Sequence, residues 1–190
     1  MRQLNINTPR GQKSLEYEIV EYLMGYGCEY EKEVTTFFEE ANDGLQWIDT
    51  PKGMPAAVDG VWIRYGELKS VAEIKCRDMT EDTFFGRYKA EWLLSVDKLE
   101  KGRLAAKLLG VPFFGYLVLI QSGIVLYKSL YDGEGRPTAE WTEKRTGTPK
   151  NVNGGYVERL NAFIPMTDAW QMTYRDKKSV ESYGHIPSYG

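Results

Sequence analysis

Val58-Asp59-Gly60-Val61-Trp62-Ile63-Arg64-Tyr65-Gly66-Glu67-Leu68-Lys69-Ser70-Val71-Ala72-Glu73-Ile74-Lys75-Cys76 is the stretch on which the reading of this chain turns. Residues 58–65 and 68–76 are rich in β-formers and meet at Tyr65-Gly66-Glu67, which predicts a β-hairpin. Side chains two apart on a strand share a face, so Glu73 and Lys75 project together while Ala72, Ile74 and Cys76 point into packing. The hairpin folds Asp59, at the start of its first strand, back toward the Glu73 end of the second. Two carboxylates and an ammonium are thereby expected around one point. With the backbone carbonyl of Ile74 and waters, Asp59 and Glu73 would make an all-oxygen set suited to Mg²⁺, with Mn²⁺ as a substitute. Such an ion acidifies a bound water and offsets charge on a phosphate under attack. Lys75 would orient that water or stabilise the transition state. An E-x-K on a strand is also a common cross-strand salt-bridge pattern, so the assignment leans on what surrounds it.

Upstream, Thr8-Pro9 opens a helix whose apolar positions Leu15, Ile19, Val20 and Leu23 keep helical spacing until Gly25 and Gly27. At about 100° per residue, Glu16 falls near the middle of that apolar face, and Glu18 and Glu21 fall opposite. A carboxylate facing the sheet is costly unless it meets a cation, a metal or a solvated cleft, which makes Glu16 a candidate fourth member of the site. The alternating, β-forming run Cys28 to Phe38 predicts a strand. Glu39 to Ala56, with Asn42-Asp43-Gly44 and two prolines, predicts a long loop.

Downstream, Asp78 to Val96 is ambiguous. Asp97-Lys98-Leu99-Glu100 matches a capping box, and Leu99, Leu104, Ala105 and Leu108 continue a helix that Gly110 and Pro112 end. Phe113 to Ile120 and Ile124 to Tyr131, separated by Gln-Ser-Gly, predict two more strands. The order helix, strand, hairpin, helix, two strands is an α/β arrangement, with a mixed central sheet flanked by helices. After Asp132 the chain turns glycine-rich and polar, with a shorter ordered-looking stretch at Tyr156 to Ile164. The reading is one domain over residues 1–170 and a loose C-terminal tail over 171–190, in which Asp176 to Gly190 carry the tail-like composition.

At 190 residues, 42% hydrophobic and 27% charged, the chain can bury a core without a metal or disulfide staple. Its apolar runs are too short to span a bilayer, so no membrane association is expected. The N-terminus has no apolar stretch of signal-peptide length and the cysteines are only Cys28 and Cys76, which points to the cytoplasm. A formal charge of −3 argues against coating nucleic acid by bulk charge but leaves room for a local basic groove. The single histidine, His185, excludes chemistry that needs two, and with Cys28 and Cys76 it is a poor tetrahedral zinc set. Lys98, Lys101, Arg103 and Lys107 on the second helix, with Arg87 and Lys89 before it, are candidates for contacting DNA phosphates; the bland alternative is a solvated face. Trp141, Tyr156 and Trp170 suit core packing or a homodimer contact better than base stacking.

The segment Arg10-Gly11, Leu15-Glu16-Tyr17-Glu18-Ile19-Val20-Glu21-Tyr22-Leu23 and Gly27 resembles the opening of archaeal Holliday-junction resolvases of the PD-(D/E)XK nuclease superfamily. There a basic residue and a glycine precede E-x-E and two aliphatics. The resemblance implies a restriction-endonuclease-like core and a magnesium-dependent deoxyribonuclease acting in DNA processing, repair or recombination, as phage enzymes also do. It maps the active-site glutamate to Glu16 and the later Asp and E-x-K to Asp59, Glu73 and Lys75. It covers roughly residues 10 to 120, with Leu108-Leu109-Gly110-Val111-Pro112 similar to the next helix and strand. The segment 39–56, about 60 further C-terminal residues and the acidic charge depart from the resolvases, which bears on junction specificity more than on nuclease chemistry. The rivals are a nuclease-fold module that binds nucleic acid without metal, and an interaction protein in which Glu73 and Lys75 are surface pairs.

Overall fold

The computed structural model describes residues 29–51, 56–149 and 156–175. The expected helix over Thr8 to Leu23 lies outside them. Six strands form the main sheet, β1 (Leu45–Asp49), β2 (Gly60–Arg64), β3 (Glu67–Arg77), β5 (Phe113–Leu119), β6 (Ile124–Tyr131) and β9 (Trp170–Thr173), side by side in that order. All neighbours are antiparallel except the central pair β3 and β5, so the protein is α/β with a mixed sheet. A second, three-stranded sheet runs β4 (Glu91–Ser95), β8 (Tyr156–Pro165), β7 (Thr142–Pro149).

The central pair is covered on both faces, which is why β5 is an unbroken apolar run with every residue buried. On one face Val71, Phe113, Leu117, Leu119 and Leu126 pack with Leu99 and Ala106 of helix α3 (Val96–Leu109) and with Trp92, Leu94 and Ile164 of the second sheet. On the other, Ala72, Ile74, Tyr116, Val118 and Tyr127 pack under Val34 and Phe38 of helix α1, residues 29–41. The connection from β3 to β5 therefore carries a short helix, α2 (Glu81–Gly86), the edge strand β4 and then α3. Gly102 sits where α3 crosses β5. A Cβ there would lie 2.2 Å from the buried Phe113 ring, so only glycine lets the helix come this close.

The β2–β3 hairpin forms as expected. Tyr65 and Gly66 both take positive φ, 51° and 80°, as a two-residue turn matched to strand twist requires, and Arg64 pairs with Glu67. Several expectations are overturned. Residues 29–41 are helical, not a strand: Tyr30, Val34 and Phe38 recur every fourth residue, and this face, packed on the sheet, outweighs the β-propensity of Val34-Thr35-Thr36-Phe37-Phe38. The stretch expected to be a loop from Glu39 contains the end of that helix and β1. The N-cap of α3 is Ser95, whose side chain accepts from Lys98 N–H, in place of the Asp97 capping box. The polar C-terminal third contributes three strands. A tail beginning at 171 cuts through β9, where Met172 is buried against β6; residues 176–190 lie outside the described ones.

Candidate active site

Asp59 sits just before β2, where the ladder with β3 ends. Its N–H donates to Ala72 O (2.9 Å), the last backbone bond of that pairing. One step further along β3, the Ile74 N–H has no β2 backbone opposite it, and the Asp59 carboxylate takes that place, with Oδ2 at 2.9 Å. The carboxylate is thus held on the edge of β3, and the Ile74 carbonyl leaves the same edge. Thr50 fixes the other side of the aspartate: its N–H donates to Asp59 O (2.9 Å), and its hydroxyl reaches the carbonyls of Val58 (2.7 Å) and Asp59 (2.9 Å). Gly60 follows because a Cβ there would lie 2.6 Å from Ile48 O and 2.3 Å from the Trp47 ring.

Glu73 and Lys75 share the α3 side of β3. Glu73 is fully buried, so its charge needs partners, and it has two. Lys75 Nζ lies 2.6 Å from Oε1 and Lys98 Nζ 3.0 Å from Oε2. Both ammoniums also approach Asp59 at 3.8 Å, Lys75 toward Oδ2 and Lys98 toward Oδ1. The result is a ring of alternating charges: Lys75, Glu73, Lys98, Asp59. The sequence brings Asp59, Glu73 and Lys75 together as the hairpin implied. It also brings in Lys98, expected on a phosphate-facing helix surface but here turned onto the carboxylates from the first turn of α3.

Burial pulls the Lys75 ammonium down. Attraction by Glu73 and Asp59, the hydrogen bond to Glu73 and the more distant Glu31 outweigh it, leaving Lys75 above its ordinary value. The neighbouring Cys76 thiol is pushed up to about 12 by burial and then by Glu31, against Lys75 and Arg77. It stays protonated near neutrality and is no nucleophile. Glu31, half-buried on α1, is a carboxylate that the sequence reading placed in a strand and did not single out. Helical spacing from Tyr30, Val34 and Phe38 was the signal that would have turned it toward the sheet. Glu16 lies outside the described residues. Arg87 and Lys89 are exposed in the turn between α2 and β4 and make no ion pair with the cluster.

Asp59 and Glu73 offer hard oxygen donors to one point, and the Ile74 carbonyl adds a neutral third, a set whose chemistry fits Mg²⁺ or Mn²⁺. Among the described residues no group of three or more His, Cys, Asp or Glu side chains gathers to hold a metal, so the anionic donors here are two. A surface cleft of about 470 Å³ opens beside the first turn of α3, lined by Ser95, Val96, Asp97, Arg159 and Leu160. A larger hollow of about 920 Å³ runs along α1 to Tyr174 and Arg175 and includes none of the four ring residues. Among the described residues no helix is long and apolar enough to cross a membrane. Comparison of the chain with protein-family models, with curated proteins and with solved structures gives no match.

Proposed function

We propose that this protein is a metal-dependent deoxyribonuclease of the PD-(D/E)XK type, with Asp59, Glu73 and Lys75 at its centre. The observation that carries the reading is the convergence of an aspartate just before one strand with an E-x-K on the next, both carboxylates within 4 Å of one shared cation, the Lys98 ammonium. A surface salt bridge does not account for it, because Glu73 is fully buried. The element order supports a restriction-endonuclease-like core: a helix, three strands, a helix and two strands, with β4 and α2 inserted.

In this reading Asp59, Glu73 and the Ile74 carbonyl would hold Mg²⁺, which when bound would supply Lewis acidity at a phosphate oxygen and acidify a water. The chain's own residues do the rest. Thr50 fixes the backbone of Asp59 and the Ile74 N–H holds its carboxylate, and Glu73 is shielded from bulk water. Lys75, kept protonated by its neighbours, donates to the attacking water or to the oxygen that gains charge in the transition state. DNA phosphates would be met by exposed basic side chains such as Arg87 and Lys89, and by Arg159, which lines the cleft beside the first turn of α3.

The test is a plasmid-nicking and branched-DNA cleavage panel with Mg²⁺ or Mn²⁺, run beside calorimetric Mn²⁺ titration. Asp59→Ala loses metal binding and cleavage together. Lys75→Ala loses cleavage by orders of magnitude while Mn²⁺ binding survives. Wild-type protein that binds Mn²⁺ and DNA but cuts no substrate would make it a nuclease-fold binding module. Wild-type protein that binds no divalent ion refutes the reading.

A further inference from the structure

The ring contains one more cation than a nuclease of this design needs. Lys75 neutralises Oε1 of Glu73 from its own strand, two residues along. Lys98 arrives from a different element and meets the other oxygen of each carboxylate, its Nζ 3.0 Å from Glu73 Oε2 and 3.8 Å from Asp59 Oδ1, where Lys75 meets Oε1 and Oδ2. A divalent ion shared by the two carboxylates would compete with an ammonium already within 4 Å of both. We propose that Lys98 is a built-in competitor for the metal, its ammonium holding the bridging position between Asp59 and Glu73 and leaving it when an ion binds. The proposal rests on the metal-dependent reading above.

Three features make Lys98 suited to leaving. It occupies the third position of α3, behind the Ser95 cap, where the helix N-terminus disfavours a cation. Among the described residues its ion partners are these two carboxylates, and a doubly charged ion between them would add its own repulsion. The side chain is 29% exposed, so its flexible four-carbon stem has a path to water. It also answers a need of the metal-free protein, in which the fully buried Glu73 would otherwise face the interior with Oε2 uncompensated. The residue therefore weakens metal affinity while stabilising the empty fold, and metal uptake frees a positive charge on the side from which a phosphate would approach.

The experiment is Mn²⁺ titration calorimetry on the wild-type protein, Lys98→Met and Lys98→Arg, with melting temperatures measured with and without Mn²⁺. Lys98→Met should bind Mn²⁺ about tenfold more tightly or better, as expected when a competing charge is removed. Its metal-free melting temperature should fall and recover with Mn²⁺ by more than the wild type gains, and Lys98→Arg should stay close to wild type. A second readout needs no variant: acetic anhydride labelling of wild-type protein, read by mass spectrometry, should increase at Lys98 on Mn²⁺ addition and not at Lys75. If Lys98→Met does not fold, this labelling decides. Mn²⁺ affinity no tighter in Lys98→Met, or Lys98 labelling unmoved by Mn²⁺, overturns the proposal and leaves the nuclease reading standing if wild type binds metal and cuts. Absence of Mn²⁺ binding in wild type and variants overturns both.

Discussion

Replacing Glu73 by glutamine keeps the shape of a fully buried side chain and removes its charge. In the native ring Glu73 receives two ion contacts, from Lys75 at 2.6 Å and Lys98 at 3.0 Å. After the change both ammoniums retain Asp59 as their anionic neighbour in the ring, at 3.8 Å. Breaking a buried ion pair costs roughly 3–5 kcal/mol, because the partner's charge is left uncompensated. Here the two lysine side chains are 30% and 29% exposed and can partly hydrate, which places the expected loss at the lower end, about 3 kcal/mol. For a protein of this size that corresponds to a fall in melting temperature of about 6–12 °C. Calorimetric melting and urea unfolding at neutral pH measure it, with Glu100→Gln as the contrast. Glu100 pairs with Arg103 on the exposed face of α3, and its loss should leave the melting temperature unchanged. A Glu73→Gln protein as stable as wild type would refute the reasoning, since it would mean that the two ion contacts to Glu73 contribute no net stability.

Lys75 is expected to contribute to the alkaline limb of stability. Its folded-state value is raised, so the stability it contributes is present in full below its ordinary value of about 10.4 and is lost as pH rises through the higher folded value. The wild-type melting temperature should therefore drop as pH climbs past about 10, and Lys75→Met should show a flatter decline over the same window. Gly102→Ala offers a gain of about 1 kcal/mol in helix propensity but drives a methyl to 2.2 Å from a buried Phe113 ring, which costs about 1–3 kcal/mol in overpacking and should leave the protein less stable by urea unfolding.

The hairpin and its chemistry were legible in the sequence because both depend on neighbours along the chain. Tyr65-Gly66 sets a two-residue turn, the turn sets the register, and a strand's alternation puts Glu73 and Lys75 on one side. The strands β5 and β6 and helix α3 were legible for similar reasons: a continuous apolar run, and a helical period ended by Gly110, which takes the left-handed conformation. Helix α1 was not, since Val34 to Phe38 suits either period and only the sheet beneath Tyr30, Val34 and Phe38 chooses between them. Of the C-terminal strands, β8 falls on the ordered-looking stretch at Tyr156 to Ile164, whereas β7 and β9 were hidden by polar composition. β7 is largely exposed along residues 142–147, and its ladder with β8, like that of β9 with β6, is made by backbone bonds that no side-chain pattern announces.

The charge ring divides in the same way. The sequence by itself put Asp59, Glu73 and Lys75 at one place, through local register alone. Only the tertiary structure decided that Glu73 is sealed from water, that Thr50 and the Ile74 N–H lock Asp59, and that Lys98 turns inward between two carboxylates from an element twenty-five residues away. A solvated lysine on an exposed helix face and a lysine bridging two carboxylates have the same sequence. What separates them is where α3 lies on the sheet, placed by the close approach of Gly102 to Phe113 and by the Ser95 cap that starts the helix where β4 ends.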